Sequence, residues 1–188
     1  MKNQTKTCSN YDIGELKDVL QFACEKHAGQ FRDDGKPYIT HPLRVAELVA
    51  KYKKSKNIKL LMSAALLHDT LEDTYTSPKE LYDFFGEDSP VPSLVIELTT
   101  AKYVPKLIGK AQYLAQKMEH MTSYALVIKL CDRLDNISDL KGCSLEKQKR
   151  TINDTIYIID YLKSHRELTN THKVIISEIE KVINSYKF

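Results

Sequence analysis

No apolar run in these 188 residues approaches the 18 or so that cross a bilayer. The opening stretch, M-K-N-Q-T-K-T-C-S-N, also lacks the apolar core of a secretory signal. A soluble, cytoplasmic protein with no membrane partner is the expectation. Cysteine is scarce: Cys8, Cys24, Cys131 and Cys143 show no paired metal-type spacing. Three of them lie in apolar helical patterns, which favours reduced, packing thiols in a reducing compartment. A strong charge of one sign is missing too. The net charge of +3 and pI near 8.5 are too mild to imply nucleic-acid binding, yet they do not oppose an anionic small substrate. There is no β-type alternation, no internal repeat and no low-complexity tract, and nothing sets an oligomeric state. What remains is an all-α chain read as one domain over 1–188, long enough to bury about 70% of its unfolded surface.

Helical periodicity fills most of the sequence. Asp12 and Glu15 have capping-box spacing for a helix carrying Leu16, Val19, Leu20 and Ala23 toward His27. Gly29 and Gly35 bracket a loop with too many turn residues for regular structure, and that loop delivers His41 just before Pro42. Pro42 suits the first turn of a helix whose apolar positions are Leu43, Val45, Ala46, Leu48 and Val49. Ser77, Pro78 and Gly86 read as cap, first-turn proline and terminal glycine of another. Short helices are expected over 93–100 and from about Pro105, then a long one over 124–140 with a stripe of Leu126, Leu130, Leu134 and Ile137. Two amphipathic helices, about 145–163 and 171–186, close the chain as packing helices.

The chemistry concentrates where an apolar segment ends in acid. Residues 60–74 read L-L-M-S-A-A-L-L-H-D-T-L-E-D-T, and a helix there would be buried on most sides. Residues follow one another at about 100° around a helix, so His68, Asp69, Glu72 and Asp73 would share one sector. Burying such a cluster without partners costs several kcal/mol per charge, and a cation, an ion pair or a raised pKa is the usual remedy. A divalent metal is the first reading, and a mixed nitrogen and oxygen site suits manganese, iron or zinc better than magnesium or calcium. An isolated His-Asp pair reads more readily as a hydrogen-bonded core histidine beside a solvated helix end, since acids are normally exposed. Two further segments strengthen the metal reading. His41 sits at a helix mouth, and Asp132, in A-L-V-I-K-L-C-D, ends another apolar run with Asn136 one turn on. Ligands from His41, His68, Asp69 and Asp132 could hold one ion and leave positions for water and substrate.

Three segments, H-A-G-Q-F-R-D-D-G-K-P-Y-I-T-H-P at 27–42, A-A-L-L-H-D-T-L-E-D-T at 64–74 and K-L-C-D-R-L-D-N at 129–136, resemble the HD-domain hydrolases. Within that family the likeness is to the hydrolase domain of RelA/SpoT proteins and the stand-alone small alarmone hydrolases. It covers roughly 16–140. The resemblance implies an HD-domain helical bundle with one Mn²⁺ in a central cleft, held by His41, His68, Asp69 and Asp132. It implies removal of the 3′-pyrophosphate from guanosine tetra- or pentaphosphate, giving GDP or GTP. Glu72 and Asp73 would orient or deprotonate water, and either could be the base. Arg32 and Asn136 would contact the nucleotide, and Lys102 and Lys106 would attract its 5′-phosphates. Tyr38 is expected only to build its loop, and His27, His120, His165 and His172 are not expected to bind metal.

Two positions depart from the family pattern. Asp33 stands where a second basic residue is common, replacing attraction for a phosphate by repulsion. Asp135 stands where His or an aromatic is common. The alternatives are a related phosphohydrolase, for example one removing the 2′-phosphate of NADPH, and a non-catalytic helical binding module.

Overall fold

A computed structural model describes residues 16–101 and 103–187. The expected capping box at Asp12 and Glu15 therefore lies outside the described residues. Those residues form eleven helices and no strand, apart from one isolated bridge between Phe31 and Pro37. The helices are α1 (Leu16–Lys26), α2 (Thr40–Tyr52), α3 (Ile58–Leu67), α4 (Thr70–Asp73), α5 (Pro78–Phe85) and α6 (Pro90–Leu98). They continue as α7 (Val104–Ile108), α8 (Lys110–His120), α9 (Ser123–Ser138), α10 (Leu145–His165) and α11 (Asn170–Ser185). No helix among them is long and apolar enough to cross a membrane. Cys24, Cys131 and Cys143 are all free thiols.

Local chemistry sets most helix ends. The Ser77 hydroxyl accepts from the Glu80 amide, Pro78 fills the first turn, and Gly86 leaves the helix at φ +85°, a conformation that suits glycine. Ser89 and Pro90 start α6 earlier than expected. Pro92 is tolerated because first-turn amides lack intrahelical partners in any case. The single helix expected from Pro105 is two, since Gly109 at φ +90° turns the chain between α7 and α8. The run over 60–74 is also broken. Helix α3 ends at Leu67, His68 and Asp69 form a turn, and α4 is one short helix. The four acid and imidazole side chains thus do not stand on one continuous helix face.

Helix α3 packs against α1, α2, α6 and α9, and α9 packs in turn against α2, α6, α10 and α11. Both helices are accordingly apolar on several sides. Seven residues of α3 are buried, Leu60, Leu61, Ser63, Ala64, Ala65, Leu66 and Leu67, as is the α9 stripe of Leu126, Leu130, Leu134 and Ile137. The polar cluster sits at the C-terminal end of α3 and on the buried body of α9, so core packing fixes where it lies. The loop before α2 is tied by Arg32 N–H to Lys36 O at 2.8 Å and by Tyr38 N–H to Gln30 O at 2.9 Å. Leu126→Ala, at a fully buried position of α9, is expected to lower the unfolding free energy by about 2–5 kcal/mol in urea titration. A loss within error of zero would contradict this account of the core.

Candidate metal centre

His41 lies in the first turn of α2, His68 and Asp69 in the turn after α3, and Asp132 on α9. His41, His68 and Asp132 each offer one donor atom, all within 4.8 Å of one another, and all three residues are buried. His41 Nε2 is 3.3 Å from Asp132 Oδ1 and 3.5 Å from Asp69 Oδ2. His68 Nε2 is 3.0 Å from Asp69 Oδ2 and 3.8 Å from Asp132 Oδ1. The structure thus brings all four expected ligand residues together. His68 Nδ1 donates to Ala65 O at 2.8 Å, which directs its other nitrogen into the cluster. That nitrogen is buried yet makes no hydrogen bond. A buried imidazole nitrogen turned toward carboxylates without an aligned hydrogen bond fits a divalent metal ion, and so does the two-nitrogen, two-oxygen donor set.

The surrounding residues hold the two aspartates. Lys129 Nζ pairs with Asp132 Oδ2 at 3.1 Å, and Asn136 Nδ2 donates to Asp132 Oδ1 at 2.6 Å. Burial alone would raise the Asp132 carboxyl, but the Lys129 ammonium and the two histidines hold it well below the ordinary carboxylate range. Burial also opposes ionisation of Asp69, and the charge and contact of His68 overcome it. The Tyr38 hydroxyl donates to Asp69 Oδ2 at 2.7 Å and to Asp73 Oδ2 at 3.2 Å. Burial and then the Asp69 charge push that phenol up, so it stays a donor. Tyr38 therefore does more than build its loop.

Around the cluster opens a cleft of about 660 Å³, within the size range of small-molecule sites. Arg32, Glu72, Asp73 and Asn136 line it. Glu72 Oε1 accepts from the Thr100 amide. Arg32 Nη2 reaches Asn136 Oδ1 at 3.4 Å and Asp139 Oδ2 at 3.5 Å. Lys102 lies outside the described residues. Lys106 does not line the cleft: its ammonium stacks over the Tyr103 ring at 5.7 Å, because the Gly109 turn brings Lys110 to the cleft instead. Lys147 and Arg150 of α10 also line the cleft, so the tail does more than pack. The repulsion expected of Asp33 is offset, since Asp33 pairs with Lys147 and accepts from Cys143 Sγ at 3.4 Å. Asp135 is buried behind His41. Of the other histidines, His27 bonds Gln30 Oε1, and His172 caps α11.

Proton competition follows from the imidazoles. Burial lowers His41, but its contacts with Asp132 and Asp135 raise it above the usual value. Burial likewise opposes protonation of His68, yet the Asp69 charge and the Asp132 contact raise it to about 10. His68 therefore carries a proton at neutral pH in the metal-free protein and His41 is shifted toward the protonated form, whereas a ligand imidazole is neutral. Divalent metal binding at pH 7 is therefore expected to release protons. Affinity should rise with pH. Titration calorimetry in buffers of different ionisation enthalpy measures the release, and an enthalpy independent of buffer would contradict it.

The family profile described as HD domain matches residues 19–167. The guanosine-3′,5′-bis(diphosphate) 3′-pyrophosphohydrolase MESH1 of Xenopus tropicalis is 38% identical over 137 residues, which is 72% of this chain and 74% of that protein. MESH1 of Homo sapiens is 39% identical over 137 residues, again 72% and 74% of the two chains. A solved structure described as a metazoan ortholog of SpoT that hydrolyzes ppGpp superposes with a TM-score of 0.74. It is 25% identical, and the match covers 96% of this chain and 98% of that one. On the profile match over most of its length and its identity to these relatives, the chain belongs to the HD-domain family, alongside the MESH1 proteins.

Proposed function

We propose that this chain is a cytoplasmic Mn²⁺-dependent hydrolase that removes the 3′-pyrophosphate of guanosine tetra- or pentaphosphate, working as one domain. The observation that carries the reading is the convergence of His41, His68, Asp69 and Asp132 at the floor of a cleft that Arg32, Lys110, Lys147 and Arg150 also line. The relatives named for this hydrolysis support the choice of substrate. His41, His68, Asp69 and Asp132 would hold the ion. When bound, a divalent cation supplies Lewis acidity, drawing charge from a phosphoryl oxygen and acidifying nearby water.

The chain's own residues would manage the proton and the nucleotide. Water oxygen bonds to the phosphorus on the ribose 3′-oxygen, that P–O bond breaks, pyrophosphate leaves, and the 3′-oxygen takes a proton. Asp73 is the better base of the two acids. Burial and then the Asp69 charge raise its carboxyl, which makes it more basic than an exposed acid, and Tyr38 holds it toward the cluster. Glu72, tied to the Thr100 amide, orients rather than deprotonates. Arg32 and Asn136 would contact the nucleotide, with Lys110 in the place expected of Lys106.

Purified protein assayed with guanosine tetraphosphate and NADPH side by side should turn over the guanosine nucleotide and release pyrophosphate. Comparable turnover of NADPH alone would overturn the assignment in favour of a 2′-phosphatase, and turnover of neither would favour a binding module. Asp73→Asn should lower kcat by about 10²–10⁴-fold while Mn²⁺ still binds. Unaltered turnover would remove Asp73 from the mechanism.

A further inference from the structure

Helices α2 and α9 pack face to face, and each presents charge to the other. His41 and Arg44 are three residues apart on α2, and Asp132 and Asp135 three apart on α9, so each pair lies on one face, with Asp139 at the C-cap of α9 just beyond. Asp135 Oδ2 accepts from His41 Nδ1 at 2.6 Å. Arg44 closes on the same carboxylate with two donors, Nε to Oδ1 at 2.6 Å and Nη2 to Oδ2 at 3.0 Å. Its Nη2 also donates to Asp139 Oδ2 at 2.6 Å. His41 is 1% exposed and Asp135 4%, so water has almost no access to this contact.

We propose that Asp135, clamped by Arg44, is the positioning residue that fixes the ring of His41 and thereby sets the metal affinity of the centre. This rests on the reading of His41 as a metal ligand. A carboxylate at Nδ1 keeps the proton on that nitrogen, leaves Nε2 free toward Asp132 and Asp69, and makes the imidazole a stronger donor. His68 has only the Ala65 carbonyl in the corresponding place, so the two imidazoles are unequal. Arg44 is needed because Asp135 is a further acid beside Asp132 and Asp69. Buried and unpaired it would be costly, whereas a two-pronged guanidinium holds it ionised and in one orientation. Asp135 touches no reacting atom. The position that departs from the family pattern is thus part of the site's support.

The test is Mn²⁺ titration calorimetry on the full-length protein and its variants. Asp135→Asn keeps the shape and an acceptor but removes the charge, and its Mn²⁺ dissociation constant should rise about 10- to 100-fold. Asp135→Glu should recover part of the loss. Arg44→Met should cost less than Asp135→Asn, because Asp135 still accepts from His41. An Asp135→Asn protein that binds Mn²⁺ as tightly as wild type overturns the proposal. Should that variant fail to fold, ring-nitrogen NMR of the Zn²⁺-loaded wild type decides. A proton on His41 Nδ1 supports the proposal, and a proton on Nε2 overturns it. Weakened Mn²⁺ binding in Asp135→Asn alongside a wild type inactive on guanosine tetraphosphate would keep this inference and remove the proposed function. Unchanged Mn²⁺ binding with an active wild type would do the reverse.

Discussion

Two carboxylates, Asp69 and Asp132, are buried within reach of the same two imidazole nitrogens, and the rest of the structure answers that one constraint. An isolated buried carboxylate would cost several kcal/mol and would take up a proton instead. Here each is held ionised by named partners. Lys129 and Asn136 take one oxygen each of Asp132, and Tyr38 and His68 face Asp69. The apolar body of α3 and α9 excludes water from the cluster's back, so those partners act at low dielectric and count for more than they would at the surface.

The helical architecture was largely legible because its signals are local. Ser77, Pro78 and Gly86 delimit α5 through contacts within a few residues, and the α9 stripe is a period any buried helix shows. The break at His68 and Asp69 was not legible, since no proline or glycine marks it. His68, Asp69 and Asp132 could be singled out because an acid or imidazole at the end of an apolar run is an anomaly that needs a partner, and His41 because it stands at a helix mouth. Tyr38 could not. Its hydroxyl meets Asp69, 31 residues away, only after the loop folds back, and a loop tyrosine carries no sign of that. Asp135 read as a departure because its value depends on Arg44, which lies on a different helix. The choice of Lys110 over Lys106 hung on one glycine turn, and the part played by Lys147 and Arg150 on the packing that brings α10 to the cleft wall.

The cleft's charge is mixed rather than uniformly basic. Asp33 and Lys147 neutralise one another in the cleft, while Arg32 bridges Asn136 and Asp139 beside the cluster. A polyanionic nucleotide would have to compete for these cations with acids already paired to them. Selectivity would then come from which pairs the substrate can displace, not from net attraction, in keeping with the mild overall charge of +3.

The central claim is that His41, His68, Asp69 and Asp132 together hold one ion. Crystals grown with Mn²⁺ and measured at the manganese absorption edge test it most directly. A single anomalous peak at bonding distance from His41 Nε2, His68 Nε2, Asp69 and Asp132 is the expected result. A protein saturated with Mn²⁺ whose only peak lies elsewhere, or none at this cluster, would contradict it.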